Sequence, residues 1–212
     1  MSPRERAHRP MFLPQPIPGT GQPLRALFVG RWSACLRAPA SGVCARFVPD
    51  LLSEECAALL FRAHQAGWRI YLIGNEEAVA RGRVSDASWE RFEADLIAWL
   101  AARGVPIARN YACLDHPAGK GAHKRDSVFR FPNTGALYHA AQEDATELDE
   151  SWILSSDALE LVAGWRAGCR IARIGASRKA SVDDLEVEAD IAAESVVAAL
   201  RELLACDQFA RR

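Results

Sequence analysis

The chain has 212 residues, half of them apolar and a quarter charged, with a net charge of −1. That is the balance of an ordinary globular protein of one domain, or one domain with an arm, able to bury roughly 70% of its unfolded surface without staples. Near-neutral charge excludes a broad electrostatic footprint for nucleic acid, and no apolar run approaches the ~20 residues of a membrane span.

Six cysteines, at positions 35, 44, 56, 113, 169 and 206, are scattered with no CxxC pair. The pattern predicts reduced thiols and a cytoplasmic location rather than a secreted disulfide scaffold. Residues 1–24 carry Arg4, Arg6 and Arg9 and are interrupted by Pro10, Pro14, Pro16 and Pro18. A Pro-rich arm is expected there, not a signal peptide. The domain is expected over 25–206, with a short tail at 207–212.

Leu27, Phe28 and Val29 form the apolar centre of a first buried strand that turns at Gly30. In open parallel sheets the site lies beyond the carboxyl ends of the strands, so residues 30–32 stand where chemistry is expected. After an Ala-, Pro- and Gly-rich connection, Ser53 caps a helix reaching about Gln65, with Glu54 and Glu55 in its first turn and Gly67 past its end. Arg69–Ile73 is a second strand, giving a βαβ unit. Gly74–Val84 reads as a loop. Ser85 and Asp86 open the longest helix, where Trp89, Phe92, Leu96, Trp99 and Leu100 form a core-facing stripe.

Ile107–Ala112 is a third strand. Residues 113–133 are polar and aperiodic, the kind of long segment that is usually functional or disordered. Thr134 caps a helix to about Ala145, Trp152–Leu154 is a fourth strand, and 157–167 is a helix. Cys169–Ile174 is a fifth strand and 176–188 a charged connection. A short strand at 190–192 precedes a helix at 196–204, capped by Ser195. The alternation predicts an α/β fold with a mainly parallel sheet between two helical layers.

Four stretches carry a family resemblance. Asn75-Glu-Glu-Ala-Val-Ala-Arg-Gly82 resembles NQSGIARG, and Cys113-Leu-Asp-His-Pro117 resembles CPHHP. Phe129-Arg-Phe-Pro-Asn-Thr-Gly135 resembles CRKPxPG, and Leu154 to Gly164 resembles VGDxxxDxxAG. In order and spacing they resemble the haloacid-dehalogenase (HAD) superfamily, in the branch of heptose bisphosphate and histidinol phosphatases, over about residues 25–205. The resemblance implies a Rossmann-like three-layer αβα fold with no large cap domain.

It also implies a chemistry. In the family an aspartate ending strand 1 attacks phosphorus, and a second aspartate two residues later acts as acid. A Thr or Ser ending strand 2 and a Lys offset phosphoryl charge, and further acids complete a Mg²⁺ site. Here the matching positions are Gly30, Trp32, Gly74, Phe131 and Ser156, with Glu160 keeping a later acidic position. Asp157, beside Ser156, is a candidate to slip into its place. The resemblance therefore implies no catalytic residues and no Mg²⁺. The family's zinc loop matches Cys113, but its other positions are Asp115, Ser127 and Phe129; a rebuilt set of Cys113, Asp115, His116 and His123 is the weaker alternative to loss of the zinc.

Arg130, Asn75 and Arg81 remain as substrate-binding candidates, and Lys120, His123, Lys124 and Arg125 make the long loop basic. Trp32 and Phe131 are expected either to plug the cleft as large rings or to form an exposed patch for a partner. His64 and His139 read as structural or exposed. The expected function is a pseudophosphatase with a binding, regulatory or assembly role in heptose phosphate metabolism. The expected partners are a phosphosugar or other small anion, or a protein. The alternatives are an active sugar phosphatase using relocated acids (Asp157, Glu160, Glu76, Glu77) and a phosphosugar or nucleotide sensor.

Overall fold

A computed structural model of the protein describes residues 24–38 and 43–210. The expected arm at 1–24 lies outside the described residues except for Leu24, which bridges to Thr146. Strand β1 (Arg25–Gly30) is buried from Ala26 onward. Such a continuous apolar run suits a parallel strand covered on both faces. The chain then makes a single π-helical turn, Arg31–Cys35.

Helix α1 (Glu54–Gln65) starts at Ser53, whose hydroxyl accepts the Cys56 amide hydrogen at 3.1 Å. Strand β2 (Trp68–Asn75) follows, and then α2 (Glu77–Ala80), one short turn inside the segment expected to be a loop. Helix α3 (Asp86–Ala101) is capped by Ser85 as expected and buries Trp89, Phe92, Leu96 and Leu100. Strand β3 is Ile107–Cys113. Helix α4 (Gly135–Asp144) departs from expectation, because Thr134 precedes it without a side-chain capping bond. Strand β4 (Trp152–Ser155) leads to α5 (Ala158–Arg166), whose first turn is capped by Asp157.

Strand β5 is Arg170–Ile174. The charged connection expected at 176–188 is instead an antiparallel hairpin, β6 (Lys179–Val182) and β7 (Leu185–Glu188). Its strands each sink one small apolar side chain, Ala180 and Val187, onto the domain and keep Lys179 and Glu186 outside, paired at 2.7 Å. Strand β8 (Ile191–Ala193) precedes α6 (Val196–Ala210), which runs past Leu204 into the segment expected to be a tail.

The main sheet has the order β3-β2-β1-β4-β5-β8, and every adjacent pair is parallel. Alternate side chains of its strands feed two cores. Leu27 and Val29 face α1, α3 and α6; Ala26 and Phe28 face α4, α5 and the hairpin. The chain thus has the Rossmann-like αβα architecture, and β1 sits where the strand order reverses. Crevices at such switch points receive ligands. None of the described helices is long and apolar enough to cross a membrane.

Candidate active-site cleft

The crevice is built by the segments that leave the carboxyl ends of β1, β2 and β4. Gly30 ends β1 in register with Ile73, so Gly74 lies one step beyond, at φ 153°, a backbone conformation that side-chain-bearing residues rarely adopt. A Cβ added to Gly30 would lie 1.8 Å from Ser33 Oγ and 2.4 Å from Glu160 Oε2. The space beyond the tip of β1 is therefore already full, and polar groups fill it.

The largest of these is Arg31, which is 0% exposed. Its Nη1 donates to Glu76 Oε1 and its Nη2 to Asn110 Oδ1. The guanidinium carbon also lies 5.0 Å from the Trp89 ring, within reach of a cation–π attraction. Trp32 Nε1 donates to both Glu76 oxygens, at 3.1 and 3.0 Å, and Asn110 donates onward to Glu93 at 2.6 Å. A buried charge needs such company, because desolvation without a partner costs several kcal/mol. Burial raises the Glu76 pKa and the Arg31 charge opposes that rise.

On the other side of the crevice, Glu160 is 4% exposed. Its Oε2 accepts hydrogen bonds from Ser33 Oγ and Ser155 Oγ, each at 2.6 Å, and the two hydroxyls are 2.9 Å apart. Desolvation by burial pushes its pKa up to about 7, against the opposing pull of the two serine hydrogen bonds. The two halves approach each other at Gly74: a Cβ there would sit 3.2 Å from Arg31 Nη1 and 3.4 Å from Glu160 Oε1. A pocket of about 220 Å³ opens beside this network; Trp32, Val79, Val84, Trp89, Glu76 and Arg83 are among the residues lining it.

Of the expected binding residues, Asn75 is turned inward. Its amide donates to Phe131 O at 3.1 Å and accepts from Phe131 N at 3.0 Å, tying β2 to the long loop. Arg81 is a surface residue paired with Glu77 at 3.2 Å. Arg130 is half-buried, and its Nε is buried without a hydrogen-bond partner. The expectation that Trp32 and Phe131 jointly plug the cleft, or form one patch, is not met. Phe131 is fully buried in the core with Phe28 and Tyr71; Trp32 packs on the opposite core, its ring 5.4 Å from Phe92. Ser156 donates to Ser33 O at 2.8 Å, and Asp157 uses its carboxylate on the Leu159 amide at 2.8 Å.

The long loop brings two of its candidate ligands together, His123 Nδ1 lying 3.5 Å from Asp115 Oδ1, while Cys113 and His116 bond to backbone groups. Cys113 Sγ points to Asp115 O at 3.6 Å, His123 Nε2 pairs with Asp86 at 2.8 Å, and Arg125 pairs with Asp115 at 2.9 Å. His116 Nδ1 accepts the Ala118 amide hydrogen at 2.9 Å. Among the described residues no group of three or more His, Cys, Asp or Glu is placed to hold a metal ion. His139, on α4, meets Tyr111 OH at 3.0 Å, a structural contact.

Sequence reasoning named Glu76 and Glu160 only as alternative acids, and it missed Arg31, Ser33, Ser155 and Asn110. Position alone marks Arg31, which directly follows the apolar strand at the expected site; nothing in local pattern marks the others or shows that Arg31 is buried.

No family model matches the chain. It is 26% identical over 130 residues to a D-glycero-β-D-manno-heptose-1,7-bisphosphate 7-phosphatase of Pasteurella multocida, covering 61% of this chain and 71% of that protein. A second of that name, from Mesorhizobium japonicum, is 30% identical over 119 residues, covering 56% of this chain and 55% of the relative. Matches thus span from about half to seven-tenths of these relatives. Among solved structures, a HAD-like phosphatase from Mesorhizobium loti aligns with a TM-score of 0.68 at 22% identity, covering 89% of this chain and 88% of that one. The D,D-heptose 1,7-bisphosphate phosphatase of B. bronchiseptica, complexed with magnesium and phosphate, also reaches 0.68, at 20% identity, covering 85% and 98%. The chain has the fold of the haloacid-dehalogenase superfamily and resembles its heptose-1,7-bisphosphate phosphatases.

Proposed function

We propose that this chain is a heptose-bisphosphate-phosphatase-like protein without Mg²⁺-dependent phosphatase chemistry, serving to bind a phosphosugar or similar small anion in a regulatory or assembly role. One observation carries the reading: the tip of β1 is Gly30, and the volume a carboxylate would need there is held by Ser33 and Glu160. With no acidic oxygen on β1, no aspartyl-phosphate can form at that position.

Mg²⁺ does not fit this crevice either. Magnesium needs near-octahedral oxygen ligands. Glu76 is committed to Arg31 and Trp32, Glu160 to two serines, and Asp157 to a helix end. A fixed guanidinium charge beside these acids opposes a second cation. Zinc fits the long loop no better: Asp115 and His123 meet at 3.5 Å, but Cys113 and His116 bond to backbone groups, and among the described residues no third ligand-type side chain joins the pair to hold a metal ion. Arg83 on the pocket lining and the half-buried Arg130, whose Nε has no hydrogen-bond partner in the structure, support anion binding.

The test is turnover of heptose 1,7-bisphosphate and p-nitrophenyl phosphate with Mg²⁺, alongside titration of heptose phosphates. The expected results are no Mg²⁺-dependent turnover and saturable binding weakened by Arg130→Ala. Turnover that needs Mg²⁺ and falls in Glu160→Gln would overturn the reading. It would favour the second one, a sugar phosphatase using relocated acids, which the names of the relatives support. A rise in melting temperature on adding Mg²⁺ separates the two quickly, since a true site stabilises the fold that holds it. Unchanged affinity in Arg130→Ala would remove that residue from the binding site.

A further inference from the structure

Gly30 does more than lack a carboxylate. Because it has no Cβ, the hydroxyl of Ser33 can occupy the tip of β1, where any larger residue at position 30 would collide with it at 1.8 Å. Ser33 remains half-exposed, whereas the Glu160 carboxylate it meets at 2.6 Å is buried. The carboxylate is held from a second direction by Ser155 Oγ, itself fixed by the Asp157 amide at 2.8 Å. Two chain segments, the π-turn after β1 and the start of α5, thus hold the hydroxyl of a partly exposed serine against a buried carboxylate at the switch point of the sheet.

We infer that Ser33 is a nucleophile with Glu160 as its general base, able to accept a phosphoryl or phosphonyl group from a donor with a good leaving group. A hydroxyl within hydrogen-bond reach of a base that is itself oriented by a third group is the arrangement activated nucleophiles share. Burial gives Glu160 a proton affinity near neutrality, which suits a general base. In the step, Ser33 Oγ attacks phosphorus and its proton passes to Glu160. The new O–P bond forms as the bond from phosphorus to the leaving group breaks, and the leaving group departs with the electron pair. No metal, oxidant or reductant takes part. This inference goes beyond the loss of Mg²⁺-dependent hydrolysis and does not need it to be true.

A fluorophosphonate is the probe, with fluoride as the leaving group, applied to the full chain in EDTA and followed by intact mass and peptide mapping. The expected result is a single adduct on Ser33, absent in Ser33→Ala and still formed in Ser155→Ala. Labelling in Glu160→Gln should be slower by on the order of a hundredfold. Should that variant not fold, Glu160→Asp keeps the acid but withdraws it by one methylene, and it too should label more slowly. An unlabelled wild type, an adduct on another residue, or a wild-type rate in a folded Glu160 variant would each overturn the inference. Mg²⁺-dependent turnover without labelling of Ser33 would sink the inactive reading and this one separately, because the two assays share no readout.

Discussion

The crevice at the end of β1 and the long loop 113–133 use the same kinds of residue to opposite effect. In the crevice, Arg31 and Glu76 are 0% and 5% exposed at the side chain. In the loop, Arg125 and its partner Asp115 are 69% and 14% exposed, and Asp115 and His123 link the pairs into a short chain open to water. Buried charges without solvent depend on one another, so removing one leaves the other stranded; surface pairs let water take the missing partner's place. A loop open to water can lose one ion-pair partner with little consequence. A buried crevice has to be filled with groups that satisfy each other.

The comparison breaks first at Arg31. Arg31→Met should destabilise the fold by about 3–5 kcal/mol, because Glu76 is left charged and buried. Chemical denaturation measures it, and a loss below ~1 kcal/mol would mean that water reaches Glu76.

Next in size is the pH dependence carried by Glu160. Its pKa in the folded chain is raised from 4.5 to about 7, so the folded state holds the proton more tightly than the unfolded one. Its stabilising contribution is full below about 4.5, declines as pH rises toward about 7, and is gone above that. The total is about 3 kcal/mol across the window. Glu76, raised in the same direction by burial, adds a decline of the same sign. Melting curves from pH 4.5 to 8 should fall more steeply for the wild type than for Glu160→Gln.

Gly30→Asp sharpens the comparison by asking whether the crevice can be returned to an acid. Its Cβ would collide with Ser33 and Glu160, so it should cost about 1–3 kcal/mol, as overpacking does, and give no Mg²⁺-dependent turnover. Arg125→Ala in the loop should be smallest, at about 0–1 kcal/mol and shrinking further in high salt. A larger effect would mean that the chain from Arg125 through Asp115 and His123 to Asp86 acts as one unit despite its exposure.

Much of the fold was legible before any coordinates. Ser53 and Ser85 cap helices as their spacing predicts, and of the expected stripe on α3 Trp89, Phe92, Leu96 and Leu100 are buried and Trp99 partly so. The hairpin at 179–188 was not, because each strand fully buries a single small residue between Lys179, Glu186 and Glu188, with Asp183 and Asp184 at the turn, which locally resembles a solvated connection. Thr134 had the right residue type for a cap, yet its φ of −98° and ψ of 3° leave its side chain without a capping bond. Asn75 looked like a ligand group because it is polar and follows a strand, but both ends of its amide are satisfied by the Phe131 peptide.

By itself the sequence determined the βαβα order, the buried first strand and the lack of any acid at positions 30 and 32, since all three are written in local pattern and residue type. Only the tertiary structure decided which groups fill the tip of β1. Arg31, Glu76, Asn110, Ser33, Ser155 and Glu160 come from five elements far apart in the chain, and parallel strand register brings them to one point. An arginine is ordinarily read as solvated; whether it is instead the buried centre of a crevice depends on partners that no window of sequence contains.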